Sequence, residues 1–163
     1  MSWSSLLAQK LRPDENGNLP RLWFLLGSEP LLAIEAQDAI RAAAFKAGYS
    51  ERKSFVFEGN ADYSPLYEAL GDQSLFGEKN LIEVVFPRAT IGKNGPAAVE
   101  AVIEHADEDK MVVVSLFDYD WTTTKKDWFN HLMKSSVCIR TDPIDRNALP
   151  RWITAVSYTH LTL

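Results

Sequence analysis

Leu22-Trp23-Phe24-Leu25-Leu26-Gly27-Ser28-Glu29-Pro30-Leu31-Leu32 is the stretch that decides the fold. Five apolar residues in a row, without alternation, read as a strand covered on both faces. The Gly-Ser-Glu-Pro sequence breaks that run. Beyond it Leu32, Ala36, Ala39, Ile40 and Ala43 recur at helical spacing over residues 31–47. Glu29 and Glu35 load the N-terminal end of this helix, and Gly48 stands where a C-cap belongs. A buried strand that turns tightly into an amphipathic helix is half of a βαβ unit.

The pattern continues outward. Further apolar runs at residues 53–57, 81–86, 111–117 and 137–141 read as strands, giving about five in all. Shorter helical patterns lie between them at residues 65–70, 96–105 and 125–133. Strands alternating with helices imply right-handed crossovers and a mostly parallel, doubly wound α/β sheet. The Pro-, Asn- and Gly-rich segment 12–20 separates a leading amphipathic helix from the first strand, and Gly92-Lys93-Asn94-Gly95-Pro96 is a second loop.

At 163 residues the chain suits one domain with a sizeable core. Its hydrophobic share of 46% and charged share of 24% are those of an ordinary globular protein. The net charge of −5 argues against a domain that lives by gripping phosphates, so direct DNA binding is a poor reading. The tryptophans are scattered rather than interleaved with basic residues, which does not make a stacking platform. No basic and apolar leader opens the chain, and no apolar stretch reaches the roughly 20 residues of a membrane span. A cytoplasmic protein is expected. Cys138 is the single cysteine, so no internal disulfide can form, and its apolar setting reads as a buried small side chain.

In a doubly wound domain the first strand-to-helix turn is the usual phosphate cradle. Here Gly27 remains, but the second glycine and the Lys-Ser/Thr pair of a P-loop are missing. Glu29 places negative charge where phosphates would sit, and Pro30 removes a backbone N–H. The third strand ends in Pro87-Arg88 rather than in an acidic residue for Mg²⁺. A degenerate nucleotide site is expected, with no cofactor and no metal. Asp118 and Asp120 follow the fourth strand, where α/β enzymes keep catalytic groups; turn carboxylates are the plainer reading, and an enzyme using the Asp118 region is the alternative. His105 and His131 lack partners at metal-ligand spacing, and Lys125-Lys126 reads as a solvated helix start. No catalytic residue is assigned.

One connection carries apolar groups it does not need. Gln73-Ser74-Leu75-Phe76, closed by Gly77, lies between a helical pattern and the third strand. Connections run over the surface. Leu75 and Phe76 must therefore fold back onto the domain or enter a partner's pocket.

Leu25 to Leu32 followed by Glu35-Ala36-Gln37-Asp38-Ala39-Ile40-Arg41 resembles the opening of the delta-subunit family of bacterial DNA polymerase III, a clamp-loader component. Ser74-Leu75-Phe76 just before the third strand, and Leu149-Pro150-Arg151-Trp152 at a helix start, match that family's order and spacing from about Leu22 to Ile153. The resemblance implies a RecA-like, AAA+-type three-layer domain over residues 1–143. It also implies the start of a helical second domain at 144–156. Residues 157–163 lack helical periodicity and a stop signal, so a tail foreign to the natural protein is expected there. Leu75 and Phe76 would enter a hydrophobic pocket on the beta sliding clamp and help hold its ring open, with Ser74 and Gln73 as polar neighbours. Gln73 departs from the pattern: related peptides place Gln two or three residues before the Ser, where this chain has Gly71 and Asp72. The other clamp-loader subunits would be met through helical and collar domains absent from this chain, and DNA only indirectly. The domain would be a non-catalytic part of a nucleotidyltransferase holoenzyme.

Overall fold

In a computed structural model, residues 10–12, 19–27, 30–71, 78–107 and 109–141 are described. Their strands are β1 (Leu22–Leu26), β2 (Tyr49–Val56), β3 (Lys79–Arg88), β4 (Lys110–Asp118) and β5 (Val137–Arg140). The helices are α1 (Pro30–Lys46), α2 (Ser64–Gly71), α3 (Gly95–His105) and α4 (Asp127–Ser135). All strand pairs are parallel, in the order β2-β3-β4-β1-β5. Leu22 pairs with Val112 on one side of β1, and Trp23 with Val137 on the other.

Side-chain alternation along the central strands assigns the two faces. Trp23 and Leu25 of β1, Leu81 of β3, Met111 and Val113 of β4 and Ile139 of β5 form one core with Ala36, Ile40 and Ala44 of α1. Phe24, Leu26, Ile82, Val84, Phe86, Val112, Val114 and Leu116 face the other way and meet α2, α3 and α4. The result is a three-layer RecA-like domain, with α1 on one face, where Leu11 also packs, and α2, α3 and α4 on the other. From β1 the chain crosses under α1 to the β2 edge, then returns strand by strand over the opposite face. That change of face with change of direction keeps every crossover right-handed.

The unbroken burial of β1 follows from its central place, with both neighbours and both faces covered. Trp23 satisfies its indole N–H at the Pro20 carbonyl, 2.9 Å away. On α1 the buried stripe is Ala33, Ala36, Ile40 and Ala44, while Leu32, Ala39 and Ala43 are half-buried. The stripe is thus turned from the expected one, toward Ala33 and Ala44. Of the two acids expected at the start of α1, Glu35 is exposed in the second turn and Glu29 lies outside the described residues. Gly48 does end the helix, at φ +102, its N–H on the Phe45 carbonyl.

One charged group lies inside the sheet. Glu83 of β3 has a side chain only 2% exposed, on the α1 face. Its carboxylate accepts both Arg41 Nε at 2.6 Å and Arg41 Nη2 at 3.0 Å, and Ser54 Oγ of β2 donates to it at 2.6 Å. The hydrogen bond to Glu83 raises the Arg41 pKa above its ordinary value, against the lowering effect of burial. Arg41→Met strands the carboxylate. The expected loss is about 2–3 kcal/mol, below the 3–5 of a fully buried pair because Arg41 is partly exposed. In urea unfolding, the double variant Arg41→Met/Glu83→Met should lose less than Arg41→Met alone; a larger loss would contradict the assigned pairing.

Candidate functional site

A parallel sheet has two unlike ends, and the candidate residues divide between them. At the C-terminal end lie Gly27 after β1, Arg88 closing β3 and Asp118 closing β4. Pro30 is the first residue of α1, so the helix start lacks that N–H, as its sequence implied. Ser28 and Glu29 lie outside the described residues.

Asp118 is exposed, and its backbone carbonyl accepts the N–H of Ala89 at 2.8 Å. Asp120 organises the turn that follows. Its Oδ1 accepts the N–H of Thr122 at 2.9 Å and of Thr123 at 3.2 Å, with the Thr122 hydroxyl also bound to it. The Thr122 hydroxyl, then the Thr123 N–H, holds the Asp120 carboxyl below its ordinary pKa. Such an anion is a weak base, unlike a catalytic carboxylate tuned toward neutrality. The turn winds into a 3-10 segment, Thr123–Lys125, with Lys125 Nζ 3.8 Å over the exposed Trp121 ring. Helix α4 therefore begins at Asp127, two residues later than its pattern indicated.

The remaining singled-out groups have structural surroundings. Cys138 is fully buried on the α2–α4 side of the sheet. His131 of α4 meets Glu100 of α3 at 2.5 Å on the surface, and His105 is exposed at the end of α3. Among the described residues no group of three His, Cys, Asp or Glu could hold a metal ion. None of their helices is long and apolar enough to cross a membrane.

Gln73, Ser74, Leu75 and Phe76 lie outside the described residues, as do the segments 144–156 and 157–163. Both flanks of the 72–77 connection are described, at the N-terminal end of the sheet. Helix α2 buries Leu66, Ala69 and Leu70 as it runs back from β2. Where it ends, Lys110 Nζ donates to the Leu70 carbonyl at 2.6 Å, and this lysine is only 9% exposed. The cation meets the negative end of the helix. Across the connection, Asn80 N–H donates to the Asp109 carbonyl at 2.7 Å. Asp107 Oδ1 in turn accepts the N–H groups of Asp109 and Lys110 at 2.8 and 2.9 Å. One turn before β4 thus ties down both flanks. Sequence reasoning missed Lys110; its signal was a lone cation opening an apolar strand.

The family model described as "DNA polymerase III, delta subunit" matches residues 23–142, from β1 to just beyond β5. The chain belongs to the DNA polymerase III delta-subunit family. It is 28% identical over 157 residues to the DNA polymerase III subunit delta of Escherichia coli strain K12, covering 92% of this chain and 44% of that protein. With the Haemophilus influenzae DNA polymerase III subunit delta it shares 24% identity over 141 residues, covering 83% of this chain and 40% of the relative. The chain thus spans less than half the length of these delta-family relatives. Among solved structures, the crystal structure of Rif2 in complex with the C-terminal domain of Rap1 aligns with TM-score 0.45 and 11% identity, over 99% of this chain and 58% of that one.

Two measurements check these assignments. A carboxyl NMR titration should place Asp120 below the ordinary aspartate midpoint, about 3.9. Its contribution to stability is then present above the unfolded pKa and lost as pH falls through the lower folded value; a midpoint above the ordinary one would return Asp120 to the catalytic candidates. Lys110→Met should lower stability by about 1.5–3 kcal/mol, since a helix-end carbonyl loses a charged donor. An unchanged chemical-denaturation midpoint would remove Lys110 from this role.

Proposed function

We propose that this chain is the AAA+-type first domain of a clamp-loader subunit that binds the beta sliding clamp and helps open its ring during DNA replication in the cytoplasm. The observation that carries the reading is the delta-family match over residues 23–142, which spans the Gln73-Ser74-Leu75-Phe76 connection. Leu75 and Phe76 are the anchors, Ser74 a polar neighbour and Gln73 a minor one. The flanks of their connection are at the sheet end opposite the vestigial phosphate turn. Clamp contact therefore need not compete with anything at the β1–α1 turn.

The magnitudes are adequate. Burying a Leu and a Phe is worth about 1.5–3 kcal/mol each, so roughly 3–6 kcal/mol together. At about 1.4 kcal/mol per decade, that is on the order of a hundred- to ten-thousand-fold in affinity. Two side chains of this kind can dominate an interface as a hot spot. The remaining loader subunits would be engaged through parts of the longer protein, and DNA through the assembled loader. No nucleotide turnover by this domain is invoked, although the assembly it serves is a DNA-directed DNA polymerase. An enzyme built on the Asp118 region gains no support from the exposed Asp118 and the turn-bound Asp120.

The test is surface-plasmon-resonance binding to the cognate clamp. Leu75→Ala/Phe76→Ala is expected to weaken binding at least about a hundredfold, and Gln73→Ala less than about threefold. Equal affinity of the double variant and the parent chain would overturn the assignment.

A further inference from the structure

A cavity of about 590 Å³ opens between the N-terminal ends of β1 and β5 and the C-terminal ends of α3 and α4. Leu22, Ile103 and Val137 supply aliphatic wall, while Arg12, Arg21 and Lys134 supply its charge. Among the described residues no Asp or Glu lines it. Its volume lies within the range of ordinary ligand clefts, roughly 300–1,000 Å³.

The cations have an obvious competing use, since two helix C-termini end at this cavity and attract positive charge. Other groups partly meet that need. Ala106 N–H donates to the Val102 carbonyl of α3 at 3.0 Å, and Ser136 Oγ to the Leu132 carbonyl of α4 at 2.6 Å. Arg12 and Lys134 are exposed, and neither forms an ion pair among the described residues. They present positive charge to whatever enters.

We propose that this cleft is a binding site for an acidic peptide segment carrying aliphatic side chains. Charge complementarity selects an anion, and the wall selects its class. Among the described residues no aromatic ring lines the cleft to stack a nucleobase, and no helix N-terminus turns N–H groups toward a phosphate. Aliphatic side chains between carboxylates fit a wall of Leu, Ile and Val ringed by Arg and Lys. The site is separate from the Leu75–Phe76 connection and stands or falls independently of it.

The test is fluorescence anisotropy with a labelled decapeptide of alternating aspartate and leucine. Saturable binding is expected below about 1 mM peptide at low salt, weakening as salt rises. Arg12→Gln/Lys134→Gln should weaken it roughly fivefold to tenfold, with an unchanged thermal midpoint because both side chains are exposed. Lys46→Gln/Lys93→Gln, away from the cleft, should leave it within about twofold. Failure to saturate, equal binding of an asparagine-leucine decapeptide, insensitivity to Arg12→Gln/Lys134→Gln, or tighter binding of an oligothymidylate would each overturn the proposal.

Discussion

Helix α1 is held in register on the sheet by a carboxylate that is almost entirely buried. Glu83 sits mid-strand on β3 beneath α1, and an ion so placed is tolerable only when its acceptor capacity is met. Arg41 meets it from the helix with a two-pronged contact, and Ser54 from the neighbouring strand. Three elements distant in sequence thereby share one polar point inside an apolar layer. Apolar packing alone would let α1 slide along the Trp23, Leu25 and Met111 surface, because area burial is non-directional. A bidentate guanidinium–carboxylate contact is directional. It fixes where along the sheet the helix rests.

That constraint also explains what was legible in the chain and what was not. β1 emerges with the bounds its apolar run indicated, since a strand covered on both faces writes its limits in composition. β2 begins four residues before its expected start at Lys53, because Tyr49-Ser50-Glu51-Arg52 has no apolar signature and is drawn into the sheet by pairing with β3. The Glu83–Arg41 pair gave only half a signal, a charge inside the run Leu81–Phe86; its partner lay 42 residues away, beyond the reach of periodicity. The displaced start of α4 comes from Asp120 bonding the following threonines, a local competition that helical spacing does not register.

The candidate connection stood out in a different way. Leu75 and Phe76 are two large apolar groups where connections seldom carry them, within the stretch that the family model matches. The turn that secures the flanks could not be read in advance. Lys110 reaches Leu70 across 40 positions, and Asp107 contributes through backbone N–H groups that leave no trace in composition.

The outer strand β2 has a consequence for the chain on its own. It ends the sheet order, and a strand in that place offers main-chain donors and acceptors to any neighbour. Ser50, Glu51 and Arg52 along it are exposed, and Arg52 Nη1 also lies 3.9 Å from Glu83. Opposite charges in succession on a rim discourage a second molecule from docking strand to strand, because its own rim would set like against like in parallel register. The same polar character that concealed β2 in the sequence thus acts as a barrier to fibrous self-association.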